Sequence, residues 1–203
     1  MRITLTTLLV LLMLSSCGKK MTTERKEIPI AKIPTNSNID SKEFKTKSGK
    51  VFVVTEEKPS ASISKITVTP KGFTKVNKPL QMEESDPFDY ALIADVNNDG
   101  FDELYIITRG ASSGSYAEIF GFASNKDKSV APIYVHELTD DQFVKFFPNY
   151  MGHDTFYIED NKLMRKYKQF KKEDEQCCPT GEMKFLEYTL NLDEASWILK
   201  ISN

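Results

Sequence analysis

Two short segments carry residue types at spacings from which chemistry can be built. The first is Ser113-Gly114-Ser115-Tyr116, preceded by Arg109-Gly110-Ala111-Ser112 and set between two β-like runs, Leu104 to Thr108 and Ala117 to Ala123. Small residues let the backbone of such a loop enter a narrow space, and the phenol at its end offers a hydrogen-bond donor on an apolar ring. That combination suits insertion into another molecule's cleft, although a plain Gly/Ser turn followed by a strand Tyr has the same four letters. The second segment is Asp95-Val96-Asn97-Asn98-Asp99-Gly100-Phe101-Asp102-Glu103. Asp95, Asn97, Asp99 and Glu103 set hard oxygen atoms at alternate positions around a Gly, as a calcium loop requires. The EF-hand pattern fails, because its closing carboxylate would fall at Ile106. Two alternatives stay open: a shorter calcium loop closed by Glu103, and an Asp-Gly turn whose carboxylates cap backbone N–H groups.

Catalytic constellations are missing, and the chain is not expected to be an enzyme. His153 lies beside Asp154, but adjacent residues of an extended strand point to opposite faces. No G-x-S-x-G elbow accompanies them. Acidic residues are plentiful, yet nothing marks one carboxyl as buried and another as ionised, as glycoside hydrolysis demands. Cys177 and Cys178 are neighbours and cannot staple distant strands; a bond between them, an intermolecular bridge and two free thiols all stay open.

The N-terminus reads as an export signal. Met1-Arg2 precedes a short apolar run centred on Leu8 to Leu14, and Leu14-Ser15-Ser16-Cys17 resembles a bacterial lipobox. Residues 1–16 are thus expected to be removed, with lipid attached to Cys17 and the domain tethered to a membrane of the bacterial cell envelope. Removing residues 1–16 takes away one Arg, leaving 26 basic and 29 acidic residues and a formal net charge of −3. Such a balance offers no basic field for nucleic acid.

Residues 17–48 are rich in Lys, Thr, Glu, Pro, Ser and Asn without an apolar period, and read as the lipidated Cys with a flexible tether. Residues 49–203 read as one domain. Short β-like runs recur there with turn signals between them: 51–54, 62–69, 88–94, 103–108, 116–123, 130–136, 154–158, 163–170, 184–192 and 196–201. The acidic first turn of Thr139 to Phe147 and its Phe143, Val144 and Phe147 predict one short helix. Trp197, Tyr188 and Phe185 are expected in the core. The fold class is all-β, an antiparallel β-sandwich with one short helix.

Several of these pieces together resemble the periplasmic inhibitors of I-type (invertebrate-type) lysozyme. They are the Asp95 to Glu103 segment, Leu104-Tyr105-Ile106-Ile107-Thr108, Ser112 to Tyr116, Ser124 to Ser129, Tyr150-Met151-Gly152-His153-Asp154 and Pro179-Thr180-Gly181-Glu182. The likeness covers roughly residues 60 to 200. It implies a secreted β-sandwich that inhibits a lysozyme and protects bacterial peptidoglycan, with no required cofactor. Residues 113–116 would be the inhibitory loop: Ser113 and Tyr116 hydrogen-bond the lysozyme's two catalytic carboxyl groups, Gly114 allows close approach, and Ser115 contributes less. Arg109-Gly110-Ala111 departs from the family pattern ahead of the loop. Expected partners are an I-type lysozyme and a membrane reached through Cys17, with a homodimer left open. The alternative is a lipid-anchored calcium- or carbohydrate-binding module without inhibitory activity.

Overall fold

The computed structural model describes residues 39–202, so the signal segment, Cys17 and most of the tether lie outside the described residues. Within them are twelve strands and one helix: β1 (Ile39–Lys45), β2 (Val51–Glu57), β3 (Ser64–Lys71), β4 (Leu80–Ser85), β5 (Phe88–Ala94), β6 (Glu103–Arg109), β7 (Ala117–Ser124), β8 (Val130–Val135), α1 (Asp140–Phe146), β9 (Thr155–Glu159), β10 (Lys162–Lys168), β11 (Met183–Asp193) and β12 (Ser196–Ile201). The folded chain begins earlier than expected, since a strand replaces the tether from Ile39. β1 and β4 both escaped the sequence pattern, and both are edge strands of a four-stranded sheet ordered β1-β2-β3-β4. Their side chains are mostly polar or exposed. Backbone pairing holds them in place, from Asp40↔Glu56 to Lys45↔Val51 for β1, and pairing leaves no hydrophobic period to read.

The remaining eight strands form a second sheet, ordered β5-β6-β7-β8-β12-β11-β10-β9. It consists of two antiparallel four-strand runs joined by a parallel pair, β8 with β12 (Trp197↔Ile133 to Leu199↔Val135). The sheet curls until its two edge strands approach. Tyr90 of β5 then bridges to β9, its hydroxyl donating to the Phe156 carbonyl and accepting from the Phe156 N–H, both at 2.8 Å. The expected all-β class with one short helix holds; of its two sheets one is nearly closed and barrel-like, and its single parallel pair departs from the expected all-antiparallel pairing. The parallel pair arises because β12 returns beside β8 only after the whole β9–β11 run.

Two cores result, and β6 serves both. Tyr105 and Ile107 face the interior of the curled sheet with Ile119, Phe156, Leu163, Tyr167, Leu186, Tyr188, Leu190 and Leu199. Leu104 and Ile106 face the other way, against Phe52, Val54, Ile66, Val68 and Phe73 of the four-stranded sheet and its following turn. A strand covered on both faces must read as a continuous apolar run, which explains Leu104-Tyr105-Ile106-Ile107. The same alternation corrects one expectation: on β11 the even-numbered Leu186, Tyr188 and Leu190 point inward, so Phe185 is exposed rather than in the core. Trp197 packs at the margin of the barrel core.

Helix α1 matches its expected place. Thr139 caps it through a reciprocal capping box with Gln142, and Asp140 and Asp141 occupy the positive end. Its expected apolar face is not buried: Phe143 and Val144 are exposed, and only the C-cap Phe147 enters the core. Among the described residues no helix is long and apolar enough to cross a membrane.

Candidate functional site

The β6–β7 connection carries the Ser113 to Tyr116 loop, with Ser113 and Tyr116 exposed, Ser115 half-buried and Gly114 buried. Residues 109 to 117 would form an ordinary hairpin end if only their own strands held them. Two local bonds close it: Gly110 N–H to the Tyr116 carbonyl at 3.0 Å, and Ser115 N–H to the Ser112 carbonyl at 2.9 Å. The other contacts that fix the loop come from the Arg109 side chain and from elsewhere in the chain.

Arg109, at the end of β6, spreads its guanidinium across three acceptors. Its Nε donates to Asp89 Oδ2 at 2.7 Å, Nη1 to the Ser115 carbonyl at 2.8 Å and Nη2 to the Asp154 carbonyl at 3.0 Å. A planar fork with fixed donors suits such a three-way clamp, which a Lys could not reproduce. Ser115 lies in the left-handed region at φ 47°, and its carbonyl is thereby turned toward Arg109. Ser115 thus belongs to the loop's support.

The Tyr150 to Asp154 segment backs the loop from below. The His153 N–H donates to the Gly114 carbonyl at 2.9 Å. Gly152 stands at φ +90°, and a Cβ there would lie 1.9 Å from the Gly114 carbonyl oxygen. Gly114 is closely covered as well, since a Cβ on it would run into the Tyr116 ring and approach the Met151 carbonyl oxygen to 3.0 Å. The two glycines therefore permit two loops to touch backbone to backbone. Gly152→Ala is expected to cost about 1–2 kcal/mol from the left-handed conformation, with the exposed loop lifting away to relieve the clash. The measurement is amide hydrogen exchange at His153, which should accelerate; unchanged protection would mean that this contact does not hold the loop.

Asp154 is the buried end of the support. Its side chain is wholly inaccessible, Oδ1 accepts the Ala117 N–H at 3.1 Å, and Oδ2 pairs with Arg165 Nε at 2.7 Å and Nη2 at 2.6 Å. Arg165, from β10, is stacked among Phe147, Tyr150 and Phe156 with ring centroids 4.7, 5.2 and 4.9 Å from its guanidinium carbon. Its Nη2 also donates to the Tyr150 hydroxyl at 2.7 Å. Burial pushes the Tyr150 phenol well above its ordinary range, so it remains a neutral hydroxyl. Tyr150 in turn meets Tyr116 edge-to-face at 5.6 Å. The exposed phenol of the loop thus packs on a half-buried one.

His153 does not form a catalytic pair with Asp154. Its Nε2 faces the Gln176 carbonyl at 3.1 Å, while the Asp154 carboxylate is occupied by Arg165 and Ala117. Cys177 and Cys178 are bonded to each other in the adjacent segment. Neither local spacing nor residue type gives Gly152, Asp154 or Arg165 a supporting role in advance. The available signal was the Gly-His-Asp run, which the resemblance already grouped with the loop.

At the opposite end of β6, the β5–β6 turn gathers the second set of residues. Asp95 accepts the Asp99 and Gly100 N–H groups, Asn97 accepts the Asp99 N–H, and Asp99 accepts the Phe101 N–H, all at 2.9–3.0 Å. The turn expected as an alternative to a calcium loop is therefore formed. Asp95, Asp99 and Glu103 each bring a carboxylate oxygen within 4.8 Å of the other two. Burial pushes the Glu103 carboxyl up to about 8, the neighbouring Asp95 and Asp99 carboxylates adding to the rise. Asp102 belongs to a separate contact, accepting the Lys47 N–H.

No family model, curated protein or solved structure matches this chain. The β6–β7 loop presents a hydroxyl and a phenol at the surface and is held by Arg109, Gly152 and the Asp154–Arg165 pair.

Proposed function

We propose that this protein is an inhibitor of lysozyme, of the I-type in the first instance, acting by insertion of the Ser113 to Tyr116 loop into the enzyme's cleft. The observation that carries the reading is the preorganisation of that loop. Ser113 and Tyr116 face solvent while the backbone between them is fixed by Arg109 and His153. A loop held in its bound shape loses little conformational freedom on docking, and this favours affinity. The resemblance to lysozyme inhibitors implies the same two donors, Ser113 and Tyr116, and both are exposed.

The chemistry is coherent. A lysozyme keeps one active-site carboxyl protonated and the other ionised. A Ser hydroxyl and a Tyr phenol each donate and accept, so the pair can satisfy both forms without leaving a buried polar group unpaired. An export signal with lipid at Cys17 would set the domain in the bacterial envelope, where a lysozyme threatens peptidoglycan. The excess of acidic over basic residues would speed encounter with a basic enzyme more than it deepens binding.

The test is a cell-wall lysis assay with the full chain against I-type, chicken-type and goose-type lysozymes. Dose-dependent inhibition of the I-type enzyme is expected. Full lysis by all three at a large molar excess of the chain would overturn the reading and favour a binding module.

A further inference from the structure

We infer that the β5–β6 turn is a calcium site, with the carboxylates of Asp95, Asp99 and Glu103 and the amide oxygen of Asn97 as ligands. The acidic cluster alone would not carry this, because exposed Asp-Gly turns commonly gather carboxylates. The deciding observation is Glu103. Its side chain is 0 % exposed, and while Oε2 accepts the Val96 N–H at 2.8 Å, Oε1 is buried with no hydrogen-bond partner. A buried carboxylate oxygen without a donor is costly, and burial beside two further carboxylates makes it more so. A cation shared with Asp95 and Asp99 supplies the missing partner and cancels the repulsion.

The geometry of the turn fits that role. Backbone N–H groups of residues 99–101 hold the side-chain oxygens of Asp95, Asn97 and Asp99 in the turn, and each bound oxygen keeps a second lone pair. Gly100, at φ +89°, permits the reversal that brings Glu103 under the turn. The donors are all oxygen, which selects a hard cation over zinc. A mixed set of carboxylates and an amide oxygen on a flexible turn suits calcium, whereas magnesium retains its water and demands stricter geometry.

The ion would fix the entry to β6, the strand buried on both faces. The inhibitory loop leaves the other end of β6, roughly 20 Å away along seven residues of strand. Calcium is therefore a scaffold ion in this chain, and its failure to bind would not bear on lysozyme inhibition.

The full chain, stripped with EGTA, is titrated with calcium chloride by calorimetry and melted with and without the ion. Saturable heat at or below millimolar calcium and a rise in Tm of at least about 4 °C are expected, because a ligand that binds only the folded state stabilises it. Terbium is a second probe: its luminescence should be sensitised through Tyr105, whose hydroxyl lies 3.4 Å from Glu103 Oε2. Asp99→Asn, at an exposed position that leaves the fold intact, should weaken calcium at least about tenfold, as expected when a ligand charge is lost. Glu103→Gln should abolish both the heat and the Tm rise. No heat and no Tm shift at millimolar calcium would overturn the site, as would wild-type affinity in Asp99→Asn. An equal response to magnesium would overturn the assignment to calcium.

Discussion

Replacing Asp154 by alanine is expected to lower the unfolding free energy by about 3–5 kcal/mol, the cost of stripping one partner from a buried ion pair. Arg165 would remain enclosed by Phe147, Tyr150 and Phe156 with no counter-charge, and the Ala117 N–H at the base of the loop would lose its acceptor. The charge cannot escape to solvent, since the Arg165 side chain is only 13 % exposed and that of Asp154 is 0 % exposed. Asp154→Asn keeps the shape and one acceptor oxygen, so its loss should be smaller. Urea denaturation reads both, as a fall in midpoint at constant slope. If both variants stayed within about 1 kcal/mol of the parent, well below what a broken buried pair costs, the pair would not be the support described here.

The second large effect is on inhibition. Tyr116→Ala should weaken binding to the lysozyme by about 2 kcal/mol or more, a rise of roughly 30-fold in the inhibition constant, as for a central aromatic anchor. Two contributions disappear together: the phenol that would meet a catalytic carboxyl, and the ring that packs on Tyr150 and shields Gly114. Tyr116→Phe separates them, keeping the ring and removing the donor. Ser113→Ala, at an exposed position, should act through its hydroxyl alone and leave stability unchanged within about 0.5 kcal/mol. Inhibition unaltered in both Ser113→Ala and Tyr116→Ala would sink the loop mechanism even if the chain inhibited lysozyme.

Most strands were legible because alternation is a local property. β5 and β12 lie where the pattern put them, and the helix cap at Thr139 is spelled out by Thr139 and Gln142 themselves. β1 and β4 were not legible, because an edge strand is recruited by backbone pairing and needs no apolar side chains. Both candidate loops could be named from composition, but their buried supports could not. Arg109 meets Asp154 across 45 residues of chain, and nothing in the spacing of either announces the other.

The sequence by itself determined the β-rich class, the positions of most strands along the chain and the two loops at the ends of β6. Those features follow from neighbouring side chains and from turn chemistry, which act over a few residues. Only the tertiary structure decided that the large sheet curls until Tyr90 reaches Phe156, that Gly152 presses on Gly114, and that Glu103 is buried with one oxygen unpartnered. These depend on which distant strands become neighbours, and close packing, rather than local preference, settles that.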